Sequence, residues 1–252
     1  MSCIALAGAL PRLNALPAAI RDNPAPTFGL MFLFAVGAAA TLSRAGILLL
    51  LPVALGSGVV YVLETRARRR WTALITFVIA AVIALALVLA LKGGSIWDRF
   101  RAGDVGDVRF ADYPQIAKIA LAYQPLGSGV GSFDLVYRAH ERLDQLSPFY
   151  LNHAHNDYLE LWLEAGAPGA ALVFLFLAWW AVATRRAWGP NSRPKLDLAR
   201  SGALVIGALL LHSLVDYPLR TPALAVLLAF ACALLCEVGA GKRPLAKGMS
   251  TN

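Results

Sequence analysis

About six apolar runs, at 28–42, 47–63, 72–91, 167–184, 198–215 and 223–238, constrain this chain more than any other feature. Each approaches the roughly 20 residues that a helix needs to cross a hydrocarbon core of about 30 Å. Lipid offers no hydrogen-bond partners, so runs of this kind cross only as helices whose backbone groups pair internally. Charged residues make up 15% of the chain, against roughly 25% in soluble domains. The fold expected is therefore an all-α membrane protein, a polytopic bundle of about six transmembrane helices forming one membrane domain over 1–252.

The net charge of +8 would suggest nucleic acid in a soluble chain. Here the basic residues fall between the apolar runs, where they set orientation instead, and no nucleic-acid partner is expected. Arg66, Arg68, Arg69 and Arg70 follow the second run, Arg185, Arg186, Arg193 and Lys195 the fourth, and Lys242, Arg243 and Lys247 the sixth, with Arg12 and Arg21 ahead of the first. The positive-inside rule makes these connections cytoplasmic and puts both termini inside, with the tail at 239–252. Segment 1–26 is neither a signal peptide nor a full span, and reads as a cytoplasmic piece or as the cut end of a longer chain. Cys3, Cys232 and Cys236 suggest no disulfide framework, and the last two are expected to be small core residues of an apolar run.

The remaining connections face outward and hold the polar chemistry. Ser43 and Arg44 stand between the first two runs, a long loop occupies 92–166, and residues 216–221 join the fifth run to the sixth. A loop of that length is functional more often than not. Inside it, Ile116, Ile119, Ala120 and Tyr123 recur at helical spacing, which predicts an amphipathic helix over 110–123 that lies on the membrane or caps the bundle. Gly127, Gly129 and Gly131 in PLGSGVGSF predict a turn, or else a backbone nest for phosphate.

The densest ionisable cluster is NHAHNDYLELWLEAG at 152–166, with two of the four histidines. As a helix capped by Asn152 it aligns His153, Asp157, Glu160 and Glu164 on one side. An imidazole beside a carboxylate can act as a general base, which makes His153 and His155 the candidates; polar capping of an exposed loop end is the plainer reading. The H-x-H-x-D run also suggests zinc, but Tyr158 stands where zinc hydrolases with this run carry a further histidine, so no metal is expected. Arg44, Arg109 and Arg220 each have two readings, snorkelling to headgroups or clamping a diphosphate with the planar guanidinium. His212 and Asp216, four residues apart, are a structural pair or a support for the base.

Four segments together resemble the O-antigen ligase and O-antigen polymerase superfamily. They are TLSRAG at 41–46, Arg109 ahead of a loop helix ending in PLGSGVGSF at 125–133, HAHNDYLELWLEAGAPG at 153–169 and HSLVDYPL at 212–219, so the resemblance covers about 28–238. It implies a glycosyltransferase of the bacterial inner membrane that needs no metal and no cofactor. The donor would be a glycan on undecaprenyl diphosphate. The acceptor would be a hydroxyl of a glycolipid such as lipid A core, of a growing polysaccharide or of a protein, reached from the periplasmic face. In that picture His155 is the base, Arg44 and Arg109 hold the diphosphate, and Ser43, His153, Asn156, Asp157, Glu164, His212, Asp216 and Arg220 support them. His155, Arg44 and Arg109 should then converge on one cavity at the periplasmic boundary. Family members commonly have more spans, so the resemblance also reads this chain as the C-terminal half of a longer one. Two readings from other classes are a membrane transporter and an inactive truncated scaffold of a polysaccharide export system. A transporter places ionisable or helix-breaking residues near the midplane, whereas here the polar residues gather at one surface.

Overall fold

A computed structural model of the chain describes residues 33, 36–37, 49, 52–60, 106–141, 151–189 and 197–240. Residues 33, 36–37, 49 and 52–60 are helical, inside the first two expected spans. The third expected span, the arginine run at 66–70 and the turn with Ser43 and Arg44 lie outside the described residues. Further along stand α1 (Gly106–Ala122), α2 (Phe133–His140), α3 (Asp157–Trp188), α4 (Asp197–His212), a single 3-10 turn (Pro218–Arg220) and α5 (Pro222–Ala240). Among the described residues there is no strand, and the fold is all-helical.

α3 is two helices in one. Gly166, at φ 54° and ψ −145°, breaks it, and Pro168 follows inside the second part. The first part carries the histidine motif's carboxylates; the second contains the fourth expected span. α3 is long and apolar enough to cross a membrane, and only 11% of its most apolar window is buried inside the chain. Leu172, Phe174 and Leu175 are exposed on it, a surface that suits lipid better than water. α4 and α5 are shorter apolar helices. α4 stops at His212, three residues before the expected end of the fifth span, because the chain turns there: the N–H groups of both Val215 and Asp216 go back to the His212 carbonyl and Pro218 follows.

Two cores form. In the first, α4 and α5 pack with α3 and the 52–60 segment around Val53, Val205, Ile206, Leu209, Ala231 and Leu235. Small residues let these backbones approach: a Cβ at Gly202 would stand 2.7 Å from the Ala231 carbonyl oxygen. The second core gathers Ile116, Ile119, Ala120, Phe133, Tyr137, Ala154 and Leu163 from α1, α2, the loop ahead of α3 and the first part of α3. The loop helix thus buries its predicted apolar face against the motif helix, and it begins at Gly106, four residues earlier than expected.

The glycine turn joins these parts. A helix broken at Gly166 strands the carbonyls of the preceding turn, and Pro168 has no N–H to offer the Glu164 carbonyl. The turn supplies the missing donors: Ser128 N–H reaches Leu163 O and Gly129 N–H reaches Glu164 O, each at 2.9 Å, while Ala167 N–H returns to Pro125 O at 2.8 Å. Gln124 Nε2 donates to Trp162 O at 3.0 Å. Two of the amides that a phosphate nest would use are therefore committed to the helix end. Gly127, at φ 81°, lies so close to the Glu164 carbonyl that no side chain fits, whereas Gly131, also at φ 81°, has nothing within 4 Å of a Cβ. Left-handed backbone costs a non-glycine residue about 1–2 kcal/mol. Gly131→Ala is expected to lose about that much stability and Gly127→Ala clearly more, as read by thermal unfolding of the purified protein; equal losses would show that the turn is not dovetailed into the helix break.

Candidate functional site

Asn156 caps α3. Its backbone is extended at φ −159° and ψ 105°, and its Oδ1 accepts from Tyr158 N and Leu159 N at 3.0 Å each. Its Nδ2 donates to Leu214 O at 3.0 Å, tying the cap to the turn after α4. The expected cap at Asn152 is thus corrected to Asn156, and His153 is not on the helix. The chain ahead of the cap folds back instead. His153 Nδ1 meets Glu160 Oε1 at 2.8 Å, and Ala154 N–H donates to Glu160 Oε2 at 2.9 Å.

Glu160 and Glu164 are fully buried. An unpaired buried carboxylate is costly, so their partners matter. Arg220, from the connection between α4 and α5, places Nη2 3.1 Å from Glu160 Oε1 and 2.7 Å from Glu164 Oε2. Glu164 Oε1 accepts from Phe133 N at 3.2 Å, the first amide of α2, which the side chain of its own cap Ser132 does not engage. Burial alone would depress the Arg220 guanidinium, but its bond to Glu164 and the charges of Glu160, Glu164 and Asp157 outweigh that and hold it above its usual range.

The same connection reaches the other motif residues. Asp157 Oδ2 accepts from Ser213 Oγ at 2.8 Å and from Leu219 N at 3.2 Å. His155 has a left-handed backbone, φ 49°, which is uncommon outside glycine, and its carbonyl accepts from Tyr113 Oη at 2.7 Å. Its Nδ1 lies 3.2 Å from Asp216 Oδ1, which also accepts from Tyr217 N at 3.0 Å. His212 Nε2 stands 3.8 Å from Asp216 Oδ2, too far for a hydrogen bond, and is buried without a partner among the described residues. The hydrogen bond with His155 comes first among the causes that hold the Asp216 carboxyl below its ordinary 3.8, with burial opposing it and the Tyr217 amide and the two imidazoles assisting.

His153, His155, Asn156, Asp157, Glu164, His212, Asp216 and Arg220 therefore come together, from a loop, a helix and a turn some 60 residues apart. Ser43 and Arg44 lie outside the described residues. Arg109 occupies the first turn of α1, one turn before Tyr113; its side chain is likewise outside them. The sequence did not single out Glu160, Tyr113, Ser213 or Tyr217 as site residues. Glu160 had a signal, its place on the same helix face as Glu164; Tyr113, on another helix, had none. Among the described residues no three His, Cys, Asp or Glu side chains are arranged to hold a metal, and His153, His155 and Asp157 turn to separate partners.

Chemically, a carboxylate on Nδ1 fixes the tautomer and orientation of an imidazole and leaves Nε2 to take a proton. Among the described residues, the Nε2 of His155 has no hydrogen-bond partner. The described residues are all-helical, with one helix long and apolar enough to cross a membrane and His155 just ahead of it. The chain belongs to the O-antigen ligase family, whose profile matches residues 29–174, more than half of it. The match takes in the loop, both motif histidines and the helix break and ends before His212, short of the 238 to which the resemblance had been extended. No curated protein matches the chain. Membership gives it an O-antigen ligase or polymerase type of function, enzymatic in general terms, in a membrane-embedded family that works on lipid-linked glycans and their acceptors.

Two outcomes follow from the charges. Arg220→Ala leaves two buried carboxylates without their cation and is expected to lower stability by about 3 kcal/mol or more in thermal unfolding; a loss no larger than that of an exposed arginine would contradict the geometry. Asp216 is depressed on folding, so its contribution is present above 3.8 and is lost as the pH falls through the lower folded-state value. Asp216→Asn should therefore destabilise near neutrality and cease to do so at pH values well below 3.8, as followed by melting temperature against pH; a difference independent of pH would contradict it.

Proposed function

We propose that the protein is a glycosyltransferase that moves a glycan from undecaprenyl diphosphate to an acceptor hydroxyl at the periplasmic face of the inner membrane, with His155 as general base. One observation carries the reading: the His155 imidazole is held on Asp216 through Nδ1 while Nε2 has no partner among the described residues. The acceptor oxygen attacks the anomeric carbon of the donor glycan and its proton passes to His155 Nε2. The bond from that carbon to the phosphate oxygen breaks, and undecaprenyl diphosphate leaves with the electron pair. Arg44 and Arg109 stabilise the charge that grows on the leaving diphosphate, a role in which fixed cations act on the transition state more than on the ground state. The leaving group is good enough that neither a metal nor a cofactor is needed.

His153, Asn156, Asp157, Glu164, His212 and Arg220 support this base by fixing the loop that carries it, and Ser43 stands beside Arg44. The chain around the site is a bundle of about six transmembrane helices, with both termini cytoplasmic and the loop at 92–166 periplasmic. The acceptor is a glycolipid, a growing glycan or a protein hydroxyl.

The test is transfer of lipid-linked glycan in proteoliposomes. His155→Ala is expected to lower kcat by about 10²–10⁴-fold, the usual worth of a positioned base. Arg44→Ala and Arg109→Ala should each lower kcat/KM, and Arg→Lys at either position should restore only part of it. Equal transfer by His155→Ala and the wild type would remove the base.

A further inference from the structure

The two motif imidazoles share a neighbour that the reaction does not use. The Tyr217 ring contacts both, its centroid 4.6 Å from that of His153 and 4.9 Å from that of His155, with ring planes tilted by 37° and 57°. These are contact distances for π systems. Its backbone N–H donates to Asp216 Oδ1, the same oxygen that faces His155 Nδ1. Among the described residues no hydrogen bond engages its hydroxyl, so the flat ring and the amide are what touch the site. The imidazoles differ in what else restrains them. His153 is bound through Nδ1 to buried Glu160, itself held by Arg220. His155 has only its 3.2 Å contact to Asp216 and projects from a left-handed residue. A single hydrogen bond leaves a ring free to swing about it, since terminal torsions of histidine are broad.

We infer that Tyr217 is a positioning residue: its ring is a wedge that sets the rotation of the His155 imidazole by bracing it against His153, which the Glu160–Arg220 arrangement holds in place. The inference rests on the reading of His155 as the base. Without the wedge, Nε2 no longer points steadily at the acceptor hydroxyl, while the donor and acceptor still bind. Misplacement of a catalytic group by about 1 Å can cost on the order of a hundredfold in rate.

The experiment compares Tyr217→Phe, Tyr217→Leu and Tyr217→Met with the wild-type chain in proteoliposomes, and maps carbethoxylation of His153 and His155 by mass spectrometry in the same preparations. Phe keeps the flat ring and should retain kcat within about threefold, whereas Leu and Met should lower it by about ten- to a hundredfold with KM unchanged. The two histidines should react severalfold faster in the Leu and Met variants and at the wild-type rate in Phe. Wild-type kcat in Leu and Met, a loss in Phe as large as in Leu, or a change confined to KM would each overturn the inference. Using both Leu and Met keeps the comparison available if one of them fails to fold. If the wild type transfers no glycan, or His155→Ala transfers as well as the wild type, the base falls; unchanged carbethoxylation in Leu and Met would still separately remove the wedge.

Discussion

Two fully buried carboxylates, one turn apart on a helix, organise this structure. Glu160 and Glu164 have left water entirely, and such groups persist only when paired and hydrogen-bonded. Their partners come from three places: Arg220 beyond α4, His153 and Ala154 from the loop ahead of the helix, and the first amide of α2. Satisfying them draws those segments to one point. The histidine loop is folded back because Glu160 requires it, and the connection between α4 and α5 is pulled over the motif because Arg220 is the cation that reaches both acids.

The break at Gly166 decides where this polar assembly ends and the apolar helix begins. Ahead of it, Glu160 and Glu164 face the α1 and α2 cap and a core of Ile116, Phe133, Tyr137 and Leu163. Beyond it, the helix exposes Leu172, Phe174 and Leu175 and has no acid until its end. A continuous helix would carry the motif turns straight on along the axis of the span. The left-handed glycine turns the motif helix aside, and the amides of Ser128 and Gly129 satisfy carbonyls that the break strands. Gly127, Gly129 and Gly131 all take positive φ, a backbone that side chains oppose.

Much of this is legible in the sequence, and the remainder is hidden for definite reasons. The apolar runs gave the second part of α3, α4 and α5 to within a few residues, and Ile116, Ile119 and Ala120 marked the buried face of α1. Helix starts depend on what the cap can reach: Asn152 and Asn156 are equally good caps by residue type, and only the return of Ala154 N–H to Glu160 selects the second. The acids spaced four apart are legible as one helix face of the ionisable cluster, but nothing local shows that a guanidinium 56 residues later will close on them. Tyr113 and Tyr217 act through ring and backbone contacts across the fold, which no spacing rule carries. The family profile recognises the stretch up to 174, while His212, Asp216 and Arg220, which complete the site, lie past its end.

The side of the membrane from which His155 is reached bears on everything above. With His155→Cys in a chain whose other cysteines are replaced, a membrane-impermeant maleimide is applied to cells with a permeabilised outer membrane and an intact inner one. Labelling under those conditions is the outcome this account predicts. Labelling that occurs only after the inner membrane is opened would place the imidazole on the cytoplasmic side and contradict it.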